Sequence, residues 1–209
     1  MSVKLLWSTA DAEKQILFMA RVSSKHRKSE NTKLINYLIK EKHWSPFTMA
    51  NMCVEIECSR AISRQILRHA SFHYQEYSQR YARVNQTQFF TSEARRQDLQ
   101  NRQNSIDDIS NEIKEEWTTK QEKINEMVKE NYEWALEQGI AKECARVILP
   151  EGNTSTIVCM NGTIRSWIHY LQLRCGNGTQ KEHMDIANKI KDIFSKEFPI
   201  IAKALNFVE

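Results

Sequence analysis

Five arginines crowd one stretch of the sequence, residues 60–83, which contains no lysine and a single acid, Glu76. A solvated charged surface normally mixes both signs and uses lysine freely, so this composition favours a site for anions. The guanidinium of arginine is a planar fork that binds phosphate through paired hydrogen bonds and stacks on heteroaromatic rings. Because aromatic rings are interleaved with the arginines, the segment predicts a site for a ligand that combines phosphate with a ring: a nucleotide, a flavin or a single nucleic-acid strand. The side chains concerned are Arg60, Arg64, Arg68, Arg80, Arg83, Phe72, His73, Tyr74, Tyr77 and Tyr81.

Two other interpretations of this segment stay open. Arg60, Arg64 and Arg68 recur every four residues, so on a helix they share one face, and such a row also suits salt bridges between subunits. A nucleic-acid-binding module is the other alternative, because rings between basic side chains form a stacking platform. The rest of the chain gives that alternative little support, since 30 basic and 26 acidic residues leave a formal net charge of only +4. We therefore expect no nucleic-acid partner.

The elements that must position these side chains follow from composition and periodicity. With 5 glycines and 3 prolines in 209 residues, the chain has too few backbone breakers for a many-turned all-β fold, a Gly-rich linker or a disordered chain. We predict an α+β protein: a single helix-rich domain over residues 1–209 with a small antiparallel sheet and a long central helix. Strands are predicted over residues 53–58 and 154–160, helices over 9–24, 31–42, from 59 onward, 105–138, 141–149, 165–174 and 180–206, and an irregular loop region over 71–103.

The long helix predicted over residues 105–138 carries an apolar stripe along one side. The stripe consists of Ile106, Ile109, Ile113, Trp117, Ile124, Met127 and Trp134. A helix of this length in a chain of 209 residues needs a partner surface for such a stripe. The pattern is consistent with an assembly of several copies of the chain.

The cysteines and the absence of long apolar runs bear on the compartment. The five cysteines are odd in number, widely spaced and without a Cys-x-x-Cys pair, which is typical of reduced thiols. The N-terminus turns polar too soon for a signal peptide, and nowhere do about 18 apolar residues run together to span a membrane. We expect a cytoplasmic protein, or one of the host cytoplasm if the chain is viral, with no membrane partner. His69 and His73 stand four residues apart, but no third ligand follows at a defined spacing, so we expect no metal site.

Residues 68–81 resemble the signature of flavin-dependent thymidylate synthases, which is an Arg-His-Arg followed seven residues later by Ser-x-Arg. The chain has Arg68-His69-Ala70 and then Ser78-Gln79-Arg80 at that spacing. Further segments agree with the family in order, and the resemblance spans residues 20–174 and beyond. They are Ala20-Arg21-Val22-Ser23, His43-Trp44-Ser45-Pro46-Phe47, Arg64-Gln65, Ala145-Arg146-Val147-Ile148-Leu149-Pro150, Arg165 and Leu173-Arg174.

The resemblance implies an enzyme that methylates dUMP to dTMP. Members of the family take a methylene group from 5,10-methylenetetrahydrofolate and reducing equivalents from NADPH through FAD, and they form homotetramers with active sites shared between subunits. The flavin supplies the redox and carbon-transfer chemistry, while the protein supplies binding, orientation and electrostatics. FAD would have to be held by side chains, because the sequence has no Gly-rich phosphate loop.

The resemblance also implies a set of site residues. Arg80 is suited to polarise a pyrimidine carbonyl, and Ser78 to orient the ring as a positioning group rather than as a nucleophile. The catalytic residues implied are Ser78, Arg80 and Arg174, the dUMP-binding residues are Gln65, Glu76, Ser78, Arg80, Arg146 and Arg174, and the FAD-binding residues are Ser23, His43, Arg68, His69, Arg165 and His169.

Two positions depart from the family pattern. Ala70 stands where the signature has its second arginine, and Thr48 stands where relatives often carry Glu. The loss of a guanidinium at position 70 weakens flavin or nucleotide binding, is compensated by another arginine, or reflects a deliberate substitution of the residue. A family member that has lost catalytic competence through Ala70 is a further alternative, and all of these stay open on the sequence alone.

Overall fold

A four-stranded antiparallel sheet, with strand order β1-β2-β6-β3, is the framework of the computed structural model, which describes residues 1–29, 31–84, 89–176 and 178–208. In chain order the strands are β1 (Ser2–Ser8), β2 (Asn51–Ser59), β3 (Phe72–Glu76), β4 (Arg96–Gln97), β5 (Ser105–Ile106) and β6 (Ser155–Thr163). The short strands β4 and β5 pair with each other in a second, two-stranded sheet. The helices are α1 (Ala12–Ala20), α2 (Lys33–Lys40), α3 (Arg60–Ile66), α4 (Asn111–Glu137), α5 (Lys142–Ala145), α6 (Ile164–Arg174), α7 (Lys181–Glu197) and α8 (Pro199–Ala204), with 3₁₀ turns at Ser45–Met49 and Arg146–Ile148.

The central strands β2 and β6 form where the sequence alternates between apolar and polar residues. Met52, Val54 and Ile56 of β2 are fully buried, whereas Glu55 and Glu57, each of which follows one of these apolar residues, point to the other face and are partly exposed. The two strands pair along their whole length, from Asn51 opposite Thr163 to Ser59 opposite Ser155. Both predicted strands are therefore confirmed, each a few residues longer than its local pattern indicated.

The edge strands β1 and β3 were not anticipated from the sequence. The assignment of residues 72–76 to an irregular loop is wrong, because Phe72 is buried and Tyr74 half-buried while His73 and Gln75 between them are exposed. This alternation covers only five residues among arginines and glutamines, so it was too short to stand out. Residues 85–88 of the predicted loop lie outside the described residues.

Gly162 of β6 allows β3 to approach closely. It lies opposite Phe72, and a Cβ atom at this position would come within 2.3 Å of Cδ1 of the Phe72 ring. The ring instead packs edge-on against Trp167 of α6, with 4.7 Å between ring centroids. Trp167 is fully buried, and its Nε1 donates a hydrogen bond to the carbonyl oxygen of Met52 at 2.9 Å. These contacts fix β3 and α6 on the sheet, and the candidate site lies between them.

Two helix boundaries differ from the sequence prediction for identifiable reasons. The long helix α4 begins at Asn111 rather than near 105, because Ser105 and Ile106 pair with β4. The single helix predicted over 180–206 is interrupted at Phe198, since Pro199 cannot continue a helix from its interior and instead occupies the first position of α8.

The apolar stripe of α4 faces solvent in this chain. Ile113, Trp117, Ile124, Met127 and Trp134 are all exposed. The buried residues of the helix, by contrast, are Gln121, Asn125, Tyr132 and Ala135. The predicted α+β class with a small antiparallel sheet and a long helix is confirmed, while the single domain over 1–209 stays a prediction. Among the described residues, no helix is both long enough and apolar enough to cross a membrane.

Candidate active site

The turn between α3 and β3 carries the residues of the signature. Ser59 begins α3 by accepting a hydrogen bond from the backbone N–H of Ile62, and the helix ends before Leu67. The chain then turns back into β3, and the hydroxyl of Tyr74 lies 2.9 Å from the carbonyl oxygens of both Ile66 and His69. This clamp holds the turn against the strand that follows it. Arg68 and Ala70 are exposed on the turn, whereas His69 between them is half-buried.

His69 contacts Arg174 at the end of α6. Nε of Arg174 donates a hydrogen bond to Nε2 of His69 at 2.9 Å, so the ring is neutral with its proton on Nδ1. Burial, together with the positive charge of Arg174, lowers the pKa of His69 to about 4. The ring packs edge-on against Tyr170 with 4.9 Å between centroids. A residue expected at the flavin and a residue expected at the nucleotide are thus in direct contact.

Gln65 of α3 is held by two residues at the start of α7. Its Nε2 donates to Oε1 of Gln180 at 2.6 Å, and its Oε1 lies 3.3 Å from Nδ1 of His183. The hydroxyl of Tyr170 lies 3.0 Å from the other ring nitrogen of His183. His183 is fully buried, and burial, followed by the charge of Arg174, lowers its pKa to about 4.

Sequence reasoning assigned no role to His183 or Gln180. The single signal for His183 was its position on the apolar side of α7, three residues before Ile186 and seven before Ile190. Such a histidine is normally a core residue with a satisfied hydrogen bond. Nothing in the spacing of the chain related it to Gln65, which lies 118 residues earlier.

Glu76 is surrounded by donors from its own chain. Its carboxylate accepts hydrogen bonds from the hydroxyls of Ser63 at 2.6 Å and Thr156 at 3.2 Å, and from the guanidinium of Arg64. Arg60 lies 3.8 Å away and pairs at 3.0 Å with Glu151, which also approaches Arg64. The prediction that the arginines of residues 60–83 together form an anion site is therefore wrong for Arg60 and Arg64. Arg60 and Arg64 make salt bridges within the chain, whereas Arg68 makes none among the described residues.

Ser78 and Arg80 lie just beyond β3. The carbonyl oxygen of Ser78 accepts hydrogen bonds from the N–H groups of Tyr81 and Ala82, so both residues stand in a tight turn. Arg80 forms a salt bridge of 3.4 Å with Glu143 of α5, and both side chains are more than half exposed. Such a pair contributes little stability, which leaves Arg80 free to exchange partners. The bridge also brings the turn toward Arg146, which follows α5 directly.

Four of the six residues expected at the flavin lie in two groups. His169 of α6 packs edge-on against Trp44, with 5.0 Å between ring centroids, and His43 precedes Trp44 in the chain. Burial and the neighbouring Arg165 lower the pKa of His169. His69 belongs to the second group, with Arg174. The remaining two, Ser23 and Arg68, are exposed at the surface.

Seven of the expected site residues have side chains that make no hydrogen bond or salt bridge to the described parts of the chain. They are Ser23, His43, Arg68, Ser78, Arg146, Arg165 and His169. Three of these are guanidinium groups, which suit the pyrophosphate and phosphate of nucleotides. The residues present therefore fit a flavin dinucleotide and a nucleotide. Among the described residues, by contrast, no group of three His, Cys, Asp or Glu side chains is arranged for a metal ion.

The chain as a whole matches a known family. The family model described as thymidylate synthase complementing protein covers residues 4–200. A probable flavin-dependent thymidylate synthase of Paramecium bursaria Chlorella virus 1 is 52% identical over 200 residues, which cover 94% of this chain and 92% of the relative. The chain belongs to the family of flavin-dependent thymidylate synthases.

Other members of the family support the same conclusion. The flavin-dependent thymidylate synthase of Synechocystis is 49% identical over 193 residues, covering 92% of this chain and 88% of that protein. A crystal structure of a UMP/dUMP methylase from Streptomyces cacaoi has a TM-score of 0.87 and covers 98% of this chain and 94% of its own, at 23% identity. At this identity the methylase shows the shared fold alone. The expectation of a flavin-dependent methyltransferase enzyme in thymidylate synthesis is confirmed by the relatives.

Proposed function

We propose that this protein methylates dUMP to dTMP, with FAD as the bound cofactor and with 5,10-methylenetetrahydrofolate and NADPH as co-substrates. The observation that carries the proposal to this site is the hydrogen bond from Arg174 to His69. It joins a residue of the expected nucleotide set to a residue of the expected flavin set, as a reaction between nucleotide and flavin requires. Bound FAD would supply the hydride and carbon-transfer chemistry.

Arg174 and Arg80 are proposed to bind and polarise the nucleotide. Nε of Arg174 is bound to the neutral ring of His69, and its two terminal nitrogens make no hydrogen bond to the other described residues, so both are offered to a ligand. Among the described residues, Arg80 forms an exposed salt bridge with Glu143 and lies over the exposed ring of Tyr81 at 5.9 Å, so it can turn from Glu143 to a pyrimidine carbonyl. Donors aimed at that carbonyl stabilise the negative charge that develops on it when the ring is attacked. Ser78 and Gln65 then orient the ring and the sugar phosphate by hydrogen bonds.

Glu76 and Arg146 are proposed to contribute to nucleotide binding in different ways. The Glu76 carboxylate already accepts from three donors of this chain, so its contribution to dUMP binding includes holding Arg64 and Ser63 in place. Arg146 is half-buried in a 3₁₀ turn and supplies a cation for the nucleotide phosphate. For the flavin, we propose contacts from Ser23, His43, Arg68, His69, Arg165 and His169.

We propose a cytoplasmic homotetramer with shared active sites. The exposed apolar side chains of α4 continue into a groove of about 370 Å³ between α4, α5 and the following 3₁₀ turn. The groove is lined by Met127, Val128, Asn131, Trp134, Ala135, Ile140, Cys144, Ala145, Val147 and Ile148. Such a surface is typical of an interface between copies of a chain. Because Arg146 lies inside this stretch of the sequence, an interface here would bring it to a neighbouring subunit's site.

Purified protein tests the proposal directly. We expect a yellow preparation with the absorbance of bound flavin, NADPH oxidation that depends on dUMP, and dTMP formed only when methylenetetrahydrofolate is present. A colourless protein that ignores FAD and instead retards single-stranded DNA at low salt would overturn it in favour of a nucleic-acid-binding module. Light scattering checks the assembly, and a mass equal to one chain would rule out the tetramer and the shared site.

The second candidate is a family member whose catalysis is impaired by Ala70, and the position of Ala70 in the fold bears on it. Ala70 is exposed on the turn after α3, beside the exposed guanidinium of Arg68. We propose that Arg68 supplies the cation that the signature otherwise places at position 70, so that the chain is active. Comparison of dTMP formation with the Ala70→Arg variant decides between the two.

A further inference from the structure

The amide of Gln65 is held from two sides by residues near the start of α7. His183 lies 3.3 Å from its Oε1, and Oε1 of Gln180 accepts a hydrogen bond from its Nε2 at 2.6 Å. Gln65 is half-buried and Gln180 exposed, whereas His183 has no exposed surface. A side chain that is fully buried cannot touch a substrate. Any effect of His183 on substrate binding must therefore pass through a neighbour.

The orientation of the Gln65 amide sets the direction of the hydrogen bonds of His183. The oxygen of Gln65 can only accept, so the proton of neutral His183 is on Nδ1. Nε2 of His183 then accepts from the hydroxyl of Tyr170 at 3.0 Å. If the amide of Gln65 turned over, its oxygen would face the oxygen of Gln180, and two acceptors cannot form a hydrogen bond. The contact with Gln180 therefore allows one orientation of the amide, and the contact with His183 holds its other end.

A second run of polar contacts holds Gln180 itself. Nε2 of Gln180 donates to Oε2 of Glu182 at 2.9 Å, and the other carboxylate oxygen of Glu182 accepts from the guanidinium of Arg95 at 2.6 Å. Only 10% of the Arg95 side chain and 14% of the Glu182 side chain are exposed. Because this salt bridge is shielded from solvent, it holds the Glu182 carboxylate in place. The Glu182 carboxylate accepts a hydrogen bond from the NH₂ group of Gln180, and the oxygen of Gln180 therefore points toward Gln65.

We propose that His183 and Gln180 are positioning residues for dUMP, because they hold the Gln65 amide in one place and one orientation, with one N–H donor and one oxygen lone pair left for the nucleotide. Each end of the Gln65 amide uses one hydrogen bond within the chain and keeps one for a ligand. The inference rests on the proposed function, in which Gln65 binds dUMP.

The test titrates dUMP into the purified FAD-loaded protein and follows the flavin spectrum. We expect His183→Leu to raise the dissociation constant of dUMP about tenfold, which corresponds to the loss of about one hydrogen bond. His183→Asn should raise it by less than about threefold, because its amide N–H takes the place of Nδ1–H. Turnover at saturating dUMP should change less than the dissociation constant, since the groups that act on the ring are untouched.

Double substitution distinguishes positioning from general stabilisation. In the Gln65→Ala protein, His183→Leu should weaken dUMP binding by less than about twofold, because the residue through which it acts is gone. Equal effects in the two backgrounds would overturn the inference. Gln121→Leu is the matched control: Gln121 is buried and makes two hydrogen bonds to the backbone of Ser92, but it does not contact Gln65.

Two further outcomes separate the inference from the proposed function. If Gln65→Ala weakens dUMP binding but His183→Leu does not, the positioning role fails while the proposed function stands. If Gln65→Ala leaves dUMP binding unchanged, the role of Gln65 in the proposed function fails, and the inference fails with it. Gln180→Ala, at an exposed position, keeps the test decisive if His183→Leu does not fold, and an unchanged dissociation constant in that variant overturns the inference.

Discussion

Arg174 donates a hydrogen bond to the neutral ring of His69 across 2.9 Å, although 105 residues separate the two in the chain. The contact joins the last residue of α6 to the turn that carries the signature. It orients the guanidinium of Arg174, whose two terminal nitrogens make no hydrogen bond within the described ranges of the chain, and it determines which nitrogen of His69 carries the proton. Binding of the nucleotide and binding of the flavin are therefore expected to depend on each other.

Replacement of His69 by Ala should weaken the binding of dUMP as well as that of FAD. Without the ring, Arg174 loses the acceptor that orients it, and an unpaired half-buried donor costs about 1–3 kcal/mol. We expect the dissociation constant of dUMP to rise about tenfold in titrations of the flavin-loaded protein. His69→Gln, which keeps an acceptor near the position of Nε2, should retain most of the dUMP affinity. Loss of FAD affinity alone in His69→Ala would contradict the coupling.

Stability should fall as the pH falls from 6.5 to about 4, because the pKa values of His69 and His183 are lowered to about 4 in the folded protein. The unfolded chain binds protons on both rings below pH 6.5, while the folded chain excludes them until about pH 4. The stabilisation by the two neutral rings is complete above pH 6.5 and is lost progressively as the pH falls toward about 4. Thermal unfolding measured across this range checks the prediction. The His69→Gln, His183→Asn double variant is the control, and an equal pH dependence of its unfolding temperature would contradict the assignment.

Glu76→Gln should destabilise the protein by about 1–3 kcal/mol, because it removes the negative charge from between Arg60 and Arg64 and disrupts the acceptor for Ser63. Only 17% of the Glu76 side chain is exposed, so water cannot readily replace the contacts that the carboxylate makes. Glu151→Gln is the matched control: its side chain is 58% exposed and should cost less than about 1 kcal/mol. Urea unfolding of both variants measures the difference, and equal losses would show that burial does not decide it.

Gly162→Ala should be among the more damaging single changes in the sheet. The added methyl group would lie 2.3 Å from the Phe72 ring, so β3 or the ring must move, at a cost of about 1–3 kcal/mol. A shift of β3 also moves Glu76, and dUMP affinity should fall together with the unfolding temperature. Gly152→Ala, where the new methyl group meets nothing within 4 Å, serves as control. Rescue by Phe72→Leu would establish the ring as the cause.

Ala70→Arg should leave the folded protein intact and change dTMP formation by less than about threefold. The position is exposed, so the longer side chain meets no core residue, and surface changes of this kind cost within about 0.5 kcal/mol. Steady-state rates at saturating and at low dUMP check the expectation. A gain of a hundredfold in the variant would show instead that Ala70 impairs the natural enzyme.

The sequence by itself determined the features that depend on neighbouring residues. The alternation of Cys53 to Cys58 indicated a strand, the stripe of α4 indicated a helix, and the signature around Arg68 to Arg80 indicated the family. Each signal is contained within a short stretch, because side chains of a strand repeat every two residues and those of a helix about every 3.6. Strand β3 was missed for the same reason, because five residues among polar neighbours are too few to show a period of two.

Only the tertiary structure decided which of these side chains meet. The salt bridge between Arg60 and Glu151 spans 91 residues, and the contact between Gln65 and His183 spans 118. No periodicity relates such positions, since their distance depends on how β2 and β6 pair and on where α3, α6 and α7 then pack. The residue types therefore indicated an arginine-rich nucleotide site. The folded chain decided that two of the arginines are neutralised by glutamates. It also decided that half-buried His69 and fully buried His183 hold the side chains expected to bind the nucleotide.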